Sequence, residues 1–120
     1  MAFDWSEYLE LARGLAGQAG RRYSAEASER SAVSRAYYAA FCWARNYAAK
    51  SSSFQHTHTA RDHERLREHF KRRGEPQLAS ALNKLRGWRN ECDYEDTVTN
   101  LHLCVKNAIR TADKVIKECL

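Results

Sequence analysis

The sequence predicts an all-α fold, and three features of its composition support this prediction. The chain of 120 residues contains 18 alanines but only six valines and isoleucines together. Its five glycines and one proline are fewer than the roughly 12 per cent of a chain that these residues usually supply. Alanine, leucine, lysine, arginine and glutamate are plentiful and favour helices, whereas a β-sandwich or barrel needs more β-branched and turn residues. We expect one domain, 1–120, with a core of its own.

Two helices are predicted in the first half of the chain. Asp4 followed by Glu7 indicates a capping box at the start of the first. Ser24 is a suitable cap for the second, which we expect to end at about Ala49. Apolar residues at helical spacing follow each cap: Trp5, Tyr8, Leu9, Ala12, Leu15 and Ala16, then Ala32, Val33, Ala36, Tyr37, Ala40, Phe41, Ala44, Tyr47 and Ala48. The mixture of small and aromatic residues predicts that the second helix is central in a bundle.

The second half predicts three more helices after a polar loop at 51–59, which we expect to be mobile. A very basic helix covers about 60–72 and ends at Gly74, and Pro76 suits the first turn of the next helix. Gly87 interrupts that helix and indicates either close approach of another backbone or a kink. Asp96 or Thr97 is the expected cap of the last helix. The predicted buried faces of these two helices are Leu78, Ala81, Leu82, Leu85, Trp88 and Cys92, then Val98, Leu101, Val105, Ala108, Ile109, Ala112 and Ile116.

The net charge of +5 is concentrated in the middle of the chain. Residues 61–90 carry nine basic and four acidic side chains, whereas residues 91–120 carry four and six. We call the nine basic residues the basic stripe: Arg61, Arg65, Arg67, Lys71, Arg72, Arg73, Lys84, Arg86 and Arg89. A stripe of this kind suits a phosphate backbone or an acidic partner protein, and it is also compatible with a solvated helix face.

The sequence predicts neither a membrane span nor a secreted protein. The longest uncharged stretch of the strongly apolar part, Ala36 to Ala44, has nine residues, whereas a span needs about 20. The N-terminus carries acidic residues in place of the basic segment and apolar run of a signal peptide. The four cysteines form no Cys-x-x-Cys pair, so we expect reduced, mostly buried cysteines in a cytoplasmic protein.

Two clusters of polar residues are candidates for chemistry. His56 and His58, with His63 and His69 after them, have the residue type of a zinc site, but no third or fourth ligand stands at a fixed spacing. We therefore predict no metal. No glycine-rich phosphate loop, dinucleotide fingerprint or nucleophile signature is present, and we predict no cofactor.

The second cluster is the segment Arg89-Asn-Glu-Cys-Asp-Tyr94 at the end of a helix. Arg89 and Asp93 are four residues apart and can form a salt bridge. The alternative to a functional site is that this pair stabilises the helix, by about 0.3–0.5 kcal/mol.

Two motifs resemble those of HEPN domains, and the resemblance covers nearly the whole chain. Residues 31–41, Ser-Ala-Val-Ser-Arg-Ala-Tyr-Tyr-Ala-Ala-Phe, are similar to the signature of the second helix of this family. The segment from Arg89 to Tyr94 resembles the Arg-x-x-Ala-Asp-Tyr motif of one branch, with Cys92 in the place of alanine. The two motifs are about 50 residues apart and stand in the expected order.

The resemblance implies a HEPN-like, four- or five-helix up-and-down bundle, commonly a homodimer and often part of a prokaryotic toxin–antitoxin or other defence system. Family members that cleave RNA do so without metal and use an Arg-x4-6-His motif. Arg89 matches the arginine and Asn90 the polar position after it, but Tyr94 stands where a histidine is expected. The histidines that we consider as substitutes are His63 and His102.

Three hypotheses about function follow from the resemblance. The first is a protein that binds RNA or a nucleotide at Arg89, Asn90, Asp93 and Tyr94, with Arg35 and Tyr38 beside them. The second is an active endoribonuclease toxin in which Arg89, Asn90 and Tyr94 are catalytic. The third is a dimerisation and docking module for a nucleotidyltransferase that acts as its antitoxin.

Overall fold

The computed structural model describes residues 2–17 and 23–120, and these residues form five helices and no strand. The predicted all-α fold is therefore confirmed, and the helices assemble into a bundle. Their bounds are α1 Ser6–Ala16, α2 Ala25–Ser52, α3 Asp62–Arg72, α4 Pro76–Tyr94 and α5 Leu101–Glu118. None of these helices is both long and apolar enough to cross a membrane.

Helix α2 is the centre of the bundle and packs against α1, α4 and α5. Six of its alanines are completely buried: Ala32, Ala36, Ala39, Ala40, Ala44 and Ala48. Tyr37 and Phe41 from the same helix are also buried, whereas Tyr38, Trp43 and Tyr47 are half-buried against the core. The close approach of three helices to α2 follows from this row of alanines, because a larger side chain would hold the backbones apart.

Side-chain contacts fix the directions of the helices. Arg30 and Ser34 at the start of α2 reach the end of α4, so these two helices are antiparallel. The start of α3 contacts the middle of α2 through the Tyr37–His63 hydrogen bond, and the end of α3 contacts the end of α2 through a 2.7 Å bond between Ser52 Oγ and His69 Nε2. Helix α3 therefore runs in the same direction as α2, and the 53–61 connection runs back along α3.

The predicted helix boundaries are confirmed at three places. Ser24 caps α2, since its hydroxyl accepts a 3.0 Å hydrogen bond from the Ala27 backbone N–H. Gly74 follows α3 with a φ of +75°, and the N–H of Glu75 returns to the carbonyl of Phe70 at 2.8 Å. Pro76 begins α4 as expected because a proline at the first helical position loses no intrahelical hydrogen bond.

Other predicted boundaries are wrong. No capping box forms at α1, because the Asp4 carboxylate accepts hydrogen bonds from Ser6 N at 3.0 Å and Ser6 Oγ at 2.6 Å instead. Helix α2 continues three residues beyond Ala49.

No other backbone approaches α4 closely at Gly87, since a Cβ atom there would have no neighbour within 4 Å. The α4 helix is continuous through this glycine.

The start of the last helix also differs from the prediction that Asp96 or Thr97 caps it. Helix α5 begins at Leu101, after Asn100, which has a φ of +54°. The Arg30 guanidinium binds the connection before this helix, because it donates to the carbonyls of Glu95 at 2.6 Å and Asp96 at 3.0 Å. These contacts hold Glu95 and Asp96 against the start of α2, and neither residue is helical.

The loop that we expected to be mobile is tied to α3 by one buried carboxylate. Asp62 is 4% exposed and accepts hydrogen bonds from the Thr57 N–H, the Thr57 hydroxyl, the His58 N–H and Arg65, all between 2.8 and 3.0 Å. Phe54 from the same loop is buried in the core. The loop thus contributes to the packing of the domain, which a purely polar connection would not do.

Candidate functional site

The Arg89 side chain lies in the last two turns of α4 and is held by three neighbours on its own helix. Its Nε donates to Asp93 Oδ2 at 3.1 Å, its Nη1 to Asn90 Oδ1 at 3.2 Å and its Nη2 to the Tyr94 hydroxyl at 3.4 Å. The spacings i+1, i+4 and i+5 place all three partners around one face of the helix end. The Arg89 side chain is 18% exposed, so it is oriented without being sealed from solvent.

Three tyrosine rings surround the same guanidinium. Its Cζ atom lies 5.2 Å from the ring centre of Tyr38, 5.7 Å from that of Tyr94 and 5.8 Å from that of Tyr37. These distances are in the range of cation–π contacts. Tyr37 is buried, Tyr38 half-buried and Tyr94 71% exposed, so the rings lead from the core to the surface.

Helix α2 supplies the floor of this site. Ser34 is buried, and its hydroxyl donates to Asp93 Oδ2 at 3.4 Å, so one carboxylate oxygen serves both Ser34 and Arg89. Arg35 stacks on Tyr38 with its Cζ 5.5 Å from the ring centre, and on Tyr8 of α1 at 4.9 Å. We define the Arg89 cluster as the six residues that the sequence singled out, which the structure brings together at one surface: Arg35, Tyr38, Arg89, Asn90, Asp93 and Tyr94.

His63 of α3 lies next to this cluster. Its Nδ1 shares a hydrogen bond with the buried Tyr37 hydroxyl, and its ring stacks on Phe41 with centres 4.1 Å apart. Burial lowers the pKa of His63 below its ordinary value, and the positive charges of Arg89, Arg67 and Arg86 lower it further. The imidazole is therefore neutral at pH 7 and retains a basic nitrogen.

Tyr37 is the residue that sequence reasoning placed in the core and that also serves the site. It touches Arg89 with one part of its ring and bonds His63 through its hydroxyl. Burial raises the pKa of Tyr37 well above its usual range, despite the opposing charge of Arg67, so the phenol keeps its proton. The sequence feature that could have identified Tyr37 is its position one residue before Tyr38 in the 31–41 motif. Its contact with His63 could not be predicted, because that contact depends on how α3 crosses α2.

The two substitute histidines have different surroundings. His102 Nδ1 lies 3.2 Å from Glu29 Oε2, near the start of α2, and the His102 side chain is 79% exposed. Glu29 precedes Tyr37 by eight residues, about 12 Å along the helix. Of the two histidines, His63 is therefore the one that lies beside Arg89.

The basic stripe does not lie on one surface. Arg67 and Arg86, like Arg89, are near enough to His63 for their charges to lower its pKa. Arg61, Arg65 and Arg72 instead line a polar groove of about 860 Å³ between α3 and the 53–59 loop. The stripe and the cluster therefore coincide only in part.

The histidines of the loop do not form a metal site in the described part of the chain. The rings of His56 and His58 are 4.1 Å apart, and His56 Nδ1 is 4.0 Å from Asp62. Asp62 is occupied by its hydrogen-bond donors, and within residues 2–17 and 23–120 no three His, Cys, Asp or Glu side chains converge as metal ligands.

Comparisons with family models, with curated proteins and with solved structures gave no match to this chain. The HEPN resemblance therefore depends on the two motifs, at residues 31–41 and 89–94, and remains a prediction. The geometry adds that the two motifs face each other, because Ser34 and Tyr38 of the first contact Asp93 and Arg89 of the second.

Proposed function

We propose that this chain is a HEPN-like protein that binds the phosphates of RNA or of a nucleotide at the Arg89 cluster. The observation that carries the proposal is the fixed guanidinium of Arg89, which has aromatic rings around it and two further arginines nearby. Arginine suits phosphate because its planar N–H groups match two oxygens at once.

The guanidinium of Arg89 has donors left for a ligand. Arginine carries five N–H donors, and the three hydrogen bonds to Asn90, Asp93 and Tyr94 leave one on each terminal nitrogen without a partner in the described residues. Each of these two remaining donors can bind a phosphate oxygen.

The charge balance of the surface also favours an anion. Arg35, Arg67, Arg86 and Arg89 supply four positive charges, whereas Asp93 and Asp62 supply two negative charges, so positive charge is in excess. Arg67 donates to the His63 carbonyl at 3.1 Å and pairs with no carboxylate in the described residues. An excess of this size attracts a polyanion and makes its binding sensitive to salt.

The exposed ring of Tyr94 favours single-stranded RNA or a free nucleotide over a duplex. The ring is 71% exposed and its hydroxyl is bonded to Arg89, so its orientation is fixed relative to the phosphate donors. Unpaired bases stack on such rings, by about 1–3 kcal/mol per base, whereas bases in a duplex are already stacked.

The test is fluorescence anisotropy with an end-labelled single-stranded RNA, comparing wild type with Arg89→Gln. Losing a charged hydrogen-bond donor to phosphate costs about 1.5–3 kcal/mol, so we expect affinity to fall about 10- to 100-fold. The salt dependence should also weaken, by about 0.7 in the slope of log K against log salt.

Arg110→Gln is the matched control, because it removes the same charge from an exposed position on α5. We expect it to leave the affinity nearly unchanged. Circular dichroism verifies that both variants keep their helices. Equal affinities for wild type and Arg89→Gln would contradict the assignment of the site.

A second function, metal-independent cleavage of RNA, is favoured by the position of His63 beside Arg89. In this reaction the ribose 2′-oxygen attacks the adjacent phosphorus and the bond to the 5′-oxygen breaks. The attacking hydroxyl gives its proton to a base, and the leaving oxygen takes one up. The neutral His63 can accept this proton, and Arg89 would stabilise the charge that develops on the phosphoryl oxygens.

Cleavage is tested with the same RNA in the presence of a chelator. We expect products with a 2′,3′-cyclic phosphate, lost in His63→Gln and retained in His102→Gln, since His102 lies on the Glu29 side of the bundle. A base with a lowered pKa stays deprotonated at pH 7, so the rate should be flat from there upward and fall on acidification. Cleavage that survives His63→Gln would exclude this role.

On the basis of the resemblance to HEPN domains, we also propose a homodimer and a nucleotidyltransferase partner in a defence system. Light scattering coupled to size-exclusion chromatography measures the oligomeric state directly. If the chain neither binds nor cleaves RNA, and binds no nucleotide, the docking module becomes the preferred hypothesis.

A further inference from the structure

An apolar cavity of about 680 Å³, which we call the aromatic cavity, opens where three parts of the chain meet. These parts are the residues before α1, the last third of α2 and the residues after α5. None of the lining residues belongs to the Arg89 cluster, and Lys50 of the lining is about 18 Å beyond Tyr38 along α2. Its volume lies in the range of about 300–1,000 Å³ that is typical of small-molecule sites.

Four aromatic side chains form the walls of the aromatic cavity: Phe3, Trp5, Trp43 and Tyr47. Phe3 is 47% exposed and packs edge to face on Trp5 with ring centres 4.9 Å apart. The Trp43 indole N–H donates to the Cys119 carbonyl at 3.1 Å, which fixes the orientation of that ring. Trp5, Trp43 and Tyr47 are only half-buried, so the walls keep apolar surface in contact with solvent. Another aromatic ring suits such walls, because rings prefer stacked or edge-to-face neighbours.

Helix α2 adds two hydrogen-bond donors to this lining. Asn46 and Lys50 are four residues apart and therefore lie on the same side of the helix. The Asn46 carbonyl oxygen accepts from Arg45 Nε at 3.2 Å, which leaves its NH₂ group to donate. The Lys50 ammonium forms no ion pair with any carboxylate of the described residues.

The charge around the aromatic cavity is positive by one. Arg45 lies beside Lys50 in this count, since its Cζ atom is 5.8 Å from the ring centre of Trp5. Asp4 is the acidic side chain of the lining, and its Oδ1 already accepts hydrogen bonds from Ser6 N and Ser6 Oγ. A ligand with a single negative charge therefore matches the excess, whereas a cation would be repelled.

We propose that the aromatic cavity binds a small planar aromatic molecule that carries one carboxylate. The ring of this ligand packs against the aromatic walls, and its carboxylate accepts hydrogen bonds from Lys50 and Asn46. A neutral aromatic compound would fill the same walls but leave the Lys50 charge without a partner. This site lies outside the function proposed for the Arg89 cluster.

The tryptophans of the chain report binding at this site. Trp5 and Trp43 line the aromatic cavity, whereas Trp88, the third tryptophan, lies on α4 and does not. The experiment adds naphthalene carboxylate to the nitrogen-labelled chain and follows the three indole N–H signals by NMR. We expect saturable shifts of the Trp5 and Trp43 signals and none of the Trp88 signal. The variant Trp88→Phe identifies the signal of that residue by its loss.

The neutral naphthalene carboxamide has the same ring and tests the contribution of the negative charge. We expect it to bind about 2- to 5-fold more weakly than the carboxylate. Lys50→Gln should weaken carboxylate binding by the same factor and leave carboxamide binding unchanged. The matched control is Lys106→Gln, which removes a charge from an exposed position of α5 outside the cavity and should alter neither affinity.

Saturable shifts of Trp5 and Trp43, with a preference for the carboxylate that Lys50→Gln removes, support the proposal. No shift at millimolar probe, or equal shifts of all three indole signals, overturns the site. Equal affinities of wild type for the two probes overturn the assignment of an anionic ligand. Neither probe contains phosphate, so the result does not depend on the Arg89 cluster. The primary readout uses the wild-type chain, and the stability of the variants does not affect it.

Discussion

Asp62 is the carboxylate whose replacement we expect to destabilise the domain most. It is 4% exposed and accepts hydrogen bonds from four donor groups of Thr57, His58 and Arg65, at 2.8 to 3.0 Å. Every one of these partners is a donor. The substitution Asp62→Asn keeps the shape of the side chain but replaces an acceptor oxygen with an NH₂ group, which then faces N–H and O–H donors.

The magnitude follows from the number of acceptor positions that are lost. Arg65 is 43% exposed, so its ion pair contributes less than about 1 kcal/mol. Thr57 and His58 donate their hydrogen bonds directly to the charged carboxylate of Asp62. A hydrogen bond to a charged group contributes about 1.5–3 kcal/mol. Asparagine retains one acceptor oxygen and loses the other. We therefore expect Asp62→Asn to lower the free energy of unfolding by about 2–4 kcal/mol.

Urea unfolding followed by circular dichroism at pH 7 measures this change. The control is Glu68→Gln on the same helix, because Glu68 is 47% exposed and only pairs with Lys71 at 3.3 Å. We expect the control to alter stability by less than about 0.5 kcal/mol. If Asp62→Asn also stays within about 0.5 kcal/mol of wild type, the hydrogen-bond argument is refuted.

The same residue predicts a pH dependence. Burial by itself would raise the pKa of Asp62, but the hydrogen bonds from Thr57, Arg65 and His58 outweigh it and hold the pKa well below its usual range. A carboxyl whose pKa is lower in the folded state stabilises the fold at pH values above its unfolded pKa of about 3.9. This contribution is lost as the pH falls below that value, so the stability gap between wild type and Asp62→Asn should narrow there. A gap that stays constant below pH 4 would contradict the assignment.

Three further substitutions test the backbone and the α4–α5 connection. Gly87→Ala should raise the free energy of unfolding by about 0.5–1 kcal/mol, because alanine favours the helix and a Cβ there meets no atom within 4 Å. Gly74→Ala should lower it by about 1–2 kcal/mol in the same urea assay, because alanine is strained at a φ of +75°. Arg30→Met should release the carbonyls of Glu95 and Asp96, which hydrogen exchange would detect as faster exchange throughout residues 93–104.

The helices were predictable wherever the determining interactions are local. Ser24 and Ala27 are three residues apart, and Gly74 and Pro76 act on their own backbone, so the sequence contains the whole cause. The path of the connection before α5 was not predictable, since it is bound by Arg30, which lies 65 residues before Glu95. The contact between the 53–61 loop and Asp62 was missed for a related reason. Asp62 resembles any acidic residue in the first turn of a helix until the loop folds back onto it.

The candidate site divides in the same way. Asn90, Asp93 and Tyr94 surround Arg89 at spacings within two helical turns, so this part could be read from the segment itself. The neighbourhood of His63 could not be predicted from the sequence. It requires α3 to run in the same direction as α2 and to place the His63 imidazole against Tyr37. An alternating up-and-down order gives no reason to expect this contact.

The hydrogen bonds that Arg89 donates to Asn90, Asp93 and Tyr94 affect the thermodynamics of ligand binding. A free arginine side chain loses rotational freedom when it takes hold of a ligand, and this loss costs about 1.5–2 kcal/mol. Here the side chain is ordered while the domain folds, so a ligand would meet a guanidinium that is already immobile. Lysine at the same position keeps the charge but lacks the planar guanidinium group to which these three partners are hydrogen-bonded. Calorimetry of Arg89→Lys should therefore show weaker binding with a more unfavourable entropy than wild type.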